Sequence, residues 1–238
     1  MLSSASAAAT GPSGVAAEER VYTAIRQAIM DHRLTPGTKL KEVALAELFA
    51  VSRATVRAAL ARLAHAQLVE LRPNRGAIIP TPSAAESREV FEARRAIECA
   101  IAAKVAATAS RKDVAALREW VATEAAAYAR GDDRDGLRRS IEFHRRLAAL
   151  AGNAVLTRFL DELVYRTPLI ALTHRGHAPS TCGVDDHLAL VDAIGAHEPE
   201  RAVTVMREHI EALERELNLH RPEPPKTLAE IFARPAQP

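Results

Sequence analysis

Two groups of side chains in this 238-residue chain have the types and spacing to do chemistry. In the first, Arg53 and Arg57 lie four positions apart beside Ser52 and Thr55, with Arg72, Arg75 and Gly76 a short way on. Residues four apart on a helix project from one face. Arginines presented this way match the acceptor edge of guanine, and hydroxyls at a helix start suit phosphate. In the second group, three histidines each continue an apolar stripe of a different helix. His144 falls with Leu137, Ile141, Ala148 and Ala151, His187 with Leu190, Val191 and Ile194, and His209 with Ala202, Val205 and Ala212. Neutral imidazole is a good ligand for Zn²⁺ or Ni²⁺, and burying three such rings separately is costly. A lone histidine on such a stripe is ordinarily a hydrogen-bonded core residue, so the metal reading requires the three stripes to meet.

A third pair, Arg94 and Glu98, shares a stripe with Phe91, Ile101 and Val105. A buried arginine wants a carboxylate, and Glu98 one turn away can supply it as a structural ion pair. Alternatively, Arg94 faces a pocket and meets an anionic ligand. Both readings are open at this point.

The elements that position these groups are legible as periodic segments. Helices are expected near 16–32, 41–49 (with Val43, Leu45 and Leu48 inward) and 53–66, the last capped by Ser52. A hairpin follows, with strands over 68–71 and 77–79 and a turn at 73–76. This order, with a basic tip on the hairpin, is how a winged helix-turn-helix presents itself to DNA. Beyond Thr81-Pro82-Ser83, six helices are expected near 84–108, 112–130, 133–151, 154–173, 184–196 and 199–219, with Pro168 ending or kinking the fourth. Six antiparallel helices of such length make a bundle with its own core.

Composition narrows the class. Apolar residues make up 48% and aromatics only 4%, which favours packed helices over a sheet-rich fold. The net charge of +2 excludes a polycation, but residues 15–82 carry ten basic and six acidic side chains, so the basic excess sits where a DNA contact would need it. Cys99 and Cys182 make neither a disulfide framework nor a zinc ribbon, and a reducing compartment is expected. The chain has no apolar run near the roughly 18 residues of a membrane helix. Its first residues lack the basic and apolar parts of a signal peptide, so a disordered leader and a cytoplasmic location are expected. His32, His65, His197 and His220 sit near helix ends and are expected to be solvated, and Trp120 to pack.

The segment Ser52-Arg53-Ala54-Thr55-Val56-Arg57-Ala58-Ala59-Leu60 resembles the recognition helix of GntR-family bacterial regulators, typically S-R-T-P-V-R-E-A-L. Leu68-Val69 followed by Arg72-Pro73-Asn74-Arg75-Gly76 is similar to that family's wing. The departures are Thr55 for proline, Ala58 for glutamate and Gln67 at a usual glycine. The resemblance implies operator contacts by Arg53, Arg57 and Arg75. Further on, Phe91 to Glu98, Phe143-His144 to Gly152-Asn153, Asp186-His187 and Met206 to His209 resemble the FCD ligand-binding domain of the FadR branch. That resemblance implies a metal on the three histidines and on an aspartate four residues before the first, together binding a small carboxylate with help from the arginine. Ser140 occupies the aspartate position here, which leaves the fourth ligand open among water, Ser140, the effector carboxylate, His174 and His177.

The expectation is therefore a mainly α protein. A leader (1–14) precedes a winged helix-turn-helix with a small β-hairpin (15–80). An antiparallel six-helix, FCD-like bundle follows for effector binding and dimerisation (84–219), then a mobile proline-rich tail (220–238). Its DNA-binding residues are Ser52, Arg53, Thr55, Arg57, Arg72, Arg75 and Gly76. Its metal ligands are His144, His187 and His209, holding Zn or Ni, and its effector residues are Arg94, Glu98 and Ser140. The function expected is a homodimeric repressor of catabolic genes, reading a pseudo-palindromic operator and released by a small organic acid, with no membrane partner. Two rivals are a metal-dependent enzyme using the three histidines and an architectural DNA-binding dimer whose histidine cluster is purely structural.

Overall fold

The computed structural model describes residues 12–73, 75–174, 183–217 and 219. The expected leader and tail, with Asn74, His177, Cys182 and His220, lie outside the described residues, except that helix α1 (Pro12–Met30) begins inside the expected leader. After α1 come β1 (Lys39–Leu40), α2 (Glu42–Phe49), α3 (Arg53–His65), β2 (Glu70–Arg72) and β3 (Gly76–Ile78). The strands form one antiparallel sheet in the order β1-β3-β2, with Arg72 opposite Gly76 and Leu40 opposite Ala77. Strand β1 is an addition to the expected hairpin; two residues after a Pro-Gly turn are too few to carry a periodic signal.

Val21, Ile25 and Ile29 of α1 and Val56, Leu60 and Leu63 of α3 build the small core of this half. Arg62 ties the two helices together, 3.0 Å from Glu18 and 2.9 Å from Glu19, with its guanidinium 4.2 Å from the centre of the Tyr22 ring. Helix α2 corrects the expected facing. Val43 and Leu48 are exposed, and Leu45, Ala46 and Phe49 turn inward. The inward set has true helical spacing, whereas Val43 and Leu45, two apart, cannot share a face.

The second half is a helical bundle: α4 (Ala84–Thr108), α5 (Arg111–Ala129), α6 (Asp133–Leu150), α7 (Ala154–Val164), α8 (Thr167–His174), α9 (Val184–Gly195) and α10 (Pro199–Arg215). Helix starts are set by side-chain caps. Ser83 with Glu86 and Ser110 with Asp113 form reciprocal capping boxes, and Asp132 and Asn153 cap α6 and α7. The expected single helix over 154–173 is two helices. Pro168 has no N–H to continue the ladder from α7 but fits the first turn of α8, where that donor would be unused. Helix α4 packs along α10, joined by the Arg95–Glu214 ion pair, and α5 lies against α6. His197 is exposed, as expected, and its Nδ1 also lies 2.9 Å from the carbonyl of Ala106, linking the α9–α10 turn to the end of α4.

Gly76 has a positive φ of 83°, and a Cβ there would lie 2.2 Å from the Leu40 carbonyl oxygen in the neighbouring strand. Gly131 has a similar φ of 76° but open space around it. Both Gly→Ala changes impose backbone strain of order 1–2 kcal/mol, and only Gly76→Ala also pushes two strands apart. Chemical denaturation is therefore expected to rank Gly76→Ala as clearly the more destabilising; equal losses would remove the steric argument.

Candidate functional site

Helices α6, α9 and α10 bring His144, His187 and His209 together. The ring centroids are 5.2 Å apart for His144 and His187, 5.3 Å for His144 and His209, and 4.7 Å for His187 and His209. Each ring is 1–3% exposed, and one nitrogen from each lies within 4.8 Å of the others. The three stripes expected from spacing alone thus converge on one point. Phe143, itself buried, stacks on His187 at 4.2 Å.

Each histidine has a carboxylate at Nδ1. Glu124 Oε2 from α5 is 2.9 Å from His187 Nδ1, and Asp186 Oδ2 is 3.1 Å from His209 Nδ1. Glu98 Oε2 from α4 is 2.5 Å from His144 Nδ1 as an ion-pair contact. Nε2 of His187 and Nε2 of His209 are buried without a partner. Burial depresses all three imidazoles below the ordinary 6.5, His187 furthest, so they are neutral and able to donate a lone pair at neutral pH. Partnerless ring nitrogens on neutral imidazoles facing one interior point fit a borderline divalent cation such as Zn²⁺ or Ni²⁺.

Beside the cluster, Arg94 meets Glu98 through Nε at 2.7 Å, with both side chains about 1–2% exposed. The ion-pair reading of this pair holds, and Arg94 also lines a cavity of about 40 Å³ with Ser140, His144, Thr167 and His209. Its Nη1 is 3.3 Å from Thr167 Oγ1 in the first turn of α8. Burial raises the Glu98 carboxyl, but Arg94 and His144 outweigh it and hold Glu98 well below the usual carboxylate range. Glu124 has no arginine and is pushed up to about 7 by burial, against the pull of His144 and His209.

Ser140 lines the cavity as expected. His174 does not reach it: its Nε2 is 3.0 Å from the Pro82 carbonyl, which removes it from the candidate ligands. Two residues escaped the sequence reading. Glu124 continues the buried stripe Leu117, Val121, Ala127 of α5, and that spacing is the signal that could have found it. Gly183 has no sequence signal, yet a Cβ there would sit 2.4 Å from His209 Cε1.

At the other end of the molecule, Ser52 caps α3, accepting from Thr55 N at 3.0 Å, and its hydroxyl lies 2.9 Å from that of Thr55. Arg53 and Arg57 emerge on one exposed face, each side chain 61% exposed. Glu42 of α2 lies between them, 3.5 Å from Arg53 Nη2 and 3.9 Å from Arg57 Nη1. Arg72 and Arg75 are exposed on the β2–β3 hairpin, and Gly76 makes the close strand contact described above.

The model of the FCD domain matches residues 89–212, and that of the bacterial regulatory proteins of the gntR family matches residues 17–79. The HTH-type transcriptional repressor RspR of Escherichia coli is 25% identical over 82% of this chain and 86% of its own length. A probable D-xylose utilization operon transcriptional repressor of Paenarthrobacter nicotinovorans is 28% identical over 77% of the chain and 81% of its own length. Among solved structures, a putative GntR regulator from a Rhodococcus species superposes with a TM-score of 0.71 at 28% identity, covering 84% of this chain and 96% of that one. The McbR/YncC protein of Escherichia coli shares the fold, with a TM-score of 0.74 at 20% identity over 82% of this chain and 93% of its own. Gln67, at the usual glycine of the wing approach, keeps a positive φ of 55° despite its side chain.

The depressed imidazoles set a pH dependence. The unfolded chain takes up protons on these histidines as pH falls through about 6.5, and the folded chain resists, so stability is lost toward acid. Glu124, at about 7 folded against 4.5 unfolded, acts in the opposite sense between those values, but it is one group against three. Thermal unfolding of metal-free protein is expected at a lower midpoint at about pH 5 than at about pH 7. A higher midpoint at the acid end would contradict the burial of three neutral rings.

Proposed function

Because the chain belongs to the gntR family of bacterial regulatory proteins and carries an FCD domain, we propose that it is a metabolite-released transcriptional repressor whose two ends are the arginine helix and the histidine pocket. The family and the relatives named above are DNA-binding transcriptional regulators rather than enzymes. Both named relatives are repressors, which supports that sign here.

In this reading residues 15–80 form the DNA-binding domain. Arg53 and Arg57 read base edges in the major groove, Ser52 and Thr55 hold a phosphate at the start of α3, and Arg72 and Arg75 follow the backbone beside the wing that Gly76 shapes. Residues 84–219 bind the effector and pair two copies, so that two heads meet a pseudo-palindromic operator in the cytoplasm. His144, His187 and His209 hold Zn²⁺ or Ni²⁺, which supplies fixed positive charge to a carboxylate. Arg94 takes the other side of that anion, Glu98 holds the arginine in place, and Ser140 and Thr167 offer hydroxyls. The observation that supports the reading is the convergence of three buried histidines, two of which, His144 and His209, line the same cavity as Arg94. The effector can act only by favouring one arrangement of the heads over another.

Gel-shift titration against the DNA upstream of the gene tests the output. Wild-type protein should bind at moderate salt, and Arg53→Ala and Arg57→Ala should each weaken binding by about tenfold or more, as expected for a lost base contact. Absence of any shift by the wild type would end the DNA reading. Elemental analysis of protein purified without chelator should find one divalent metal per chain, lost in His144→Ala and His187→Ala.

A further inference from the structure

We propose that Glu124 is a positioning residue for the divalent cation: it accepts the Nδ1 proton of His187 and so fixes that ring with Nε2 toward the point shared with His144 and His209. The proposal rests on the metal reading above and adds a residue to it. Glu124 is fully buried, comes from α5 rather than from a helix that carries a histidine, and places Oε2 2.9 Å from His187 Nδ1. The opposite nitrogen of the same ring, Nε2, is buried without a partner. Phe143 lies against the ring face at 4.2 Å with 28° between planes. The imidazole is thus held by one edge and one face, and its remaining edge points into the cluster. Metal-ligating histidines characteristically donate their second N–H to a carboxylate, which fixes the tautomer and strengthens the ligand.

The geometry separates this role from direct ligation. Glu124 contacts the Nδ1 edge of His187, away from the Nε2 edge, and among the described residues the group able to close on one ion is the three histidines without it. Asp186 repeats the arrangement at His209 Nδ1, at 3.1 Å, and Glu98 stands at His144 Nδ1. His187 and His209 thus share one pattern, a carboxylate at Nδ1 and a buried Nε2 without a partner.

Two variants of the full chain test it. Glu124→Gln keeps an acceptor for the Nδ1 proton, and Glu124→Leu removes it at similar volume. Zinc affinity is read by competition with a chromophoric chelator, ligand geometry by the visible absorption of the Co²⁺-loaded protein, and the fold by thermal unfolding of the metal-free form. Glu124→Leu should weaken zinc binding by about 10–100-fold and alter the cobalt bands, while its metal-free form melts no lower than wild type. Glu124→Gln should retain most of the affinity. Wild-type affinity and spectrum in the leucine variant would overturn the proposal. So would equal affinity losses in both variants matched by equal falls in metal-free melting, which would make Glu124 a core residue only. A wild-type protein that binds none of Zn²⁺, Ni²⁺ and Co²⁺ would overturn the metal reading itself, and this proposal with it.

Discussion

The bundle half of this molecule is organised around the cost of hiding polar groups from water. Arg94, Glu98, Glu124, His144, His187 and His209 are all buried in one interior. Arg94 and Glu98 offset each other as an ion pair, and breaking such a pair from one side costs about 3–5 kcal/mol. The remaining groups are only half satisfied. Each buried ring nitrogen left without a partner costs about 1–3 kcal/mol, and His187 Nε2 and His209 Nε2 are such atoms. A core with no further use for these groups would be more stable with leucine in their place. Buried groups left this way call for an explanation, and the metal reading proposed above supplies one.

That constraint explains the division of labour among the helices. No single helix can present three imidazoles to one point, because residues on one face are spaced along the axis by a turn or more. Three helices give one histidine each, and two others, α4 and α5, bring Glu98 and Glu124 from the flanks. Close approach is then limiting, which is why Gly183 stands where any Cβ would strike His209. The caps at Ser83, Ser110, Asp132 and Asn153 fix where α4 to α7 begin. A slip of one residue would turn each polar group out of the interior by about 100°.

Much of this was legible in the sequence for a physical reason: burial imposes periodicity, and periodicity survives in a single chain. His144, His187 and His209 stood out because each interrupts an apolar stripe. Arg53 and Arg57 stood out because they decorate the face that Val56, Leu60 and Leu63 leave exposed. Convergence did not show, since stripes say which face is inward but not which faces meet. Glu124 was hidden because an acid on an alanine-rich helix reads as surface charge unless its stripe is traced. Strand β1 and the facing of α2 were lost for want of length. Eight residues give barely two turns, and Val43 and Leu48 are apolar yet exposed. Pro168 was read correctly as a break, and the break matters more than the sequence could say.

That break joins the two halves. Tyr165, at the end of α7, lies between two guanidinium groups. Arg26 of α1 is 4.9 Å from its ring centre, and Arg145 of α6, itself 2.6 Å from Asp161, is 5.3 Å away. Two residues on, Thr167 touches Arg94 at the cavity. Within three consecutive residues the backbone passes from a ring gripped by the DNA-binding half to a hydroxyl on the arginine that faces the pocket. Both positions precede Pro168, which has no N–H to donate back to Val164 and so breaks the ladder just after them. The α7–α8 junction is thus a segment whose neighbouring residues contact both Arg26 of α1 and Arg94 at the cavity.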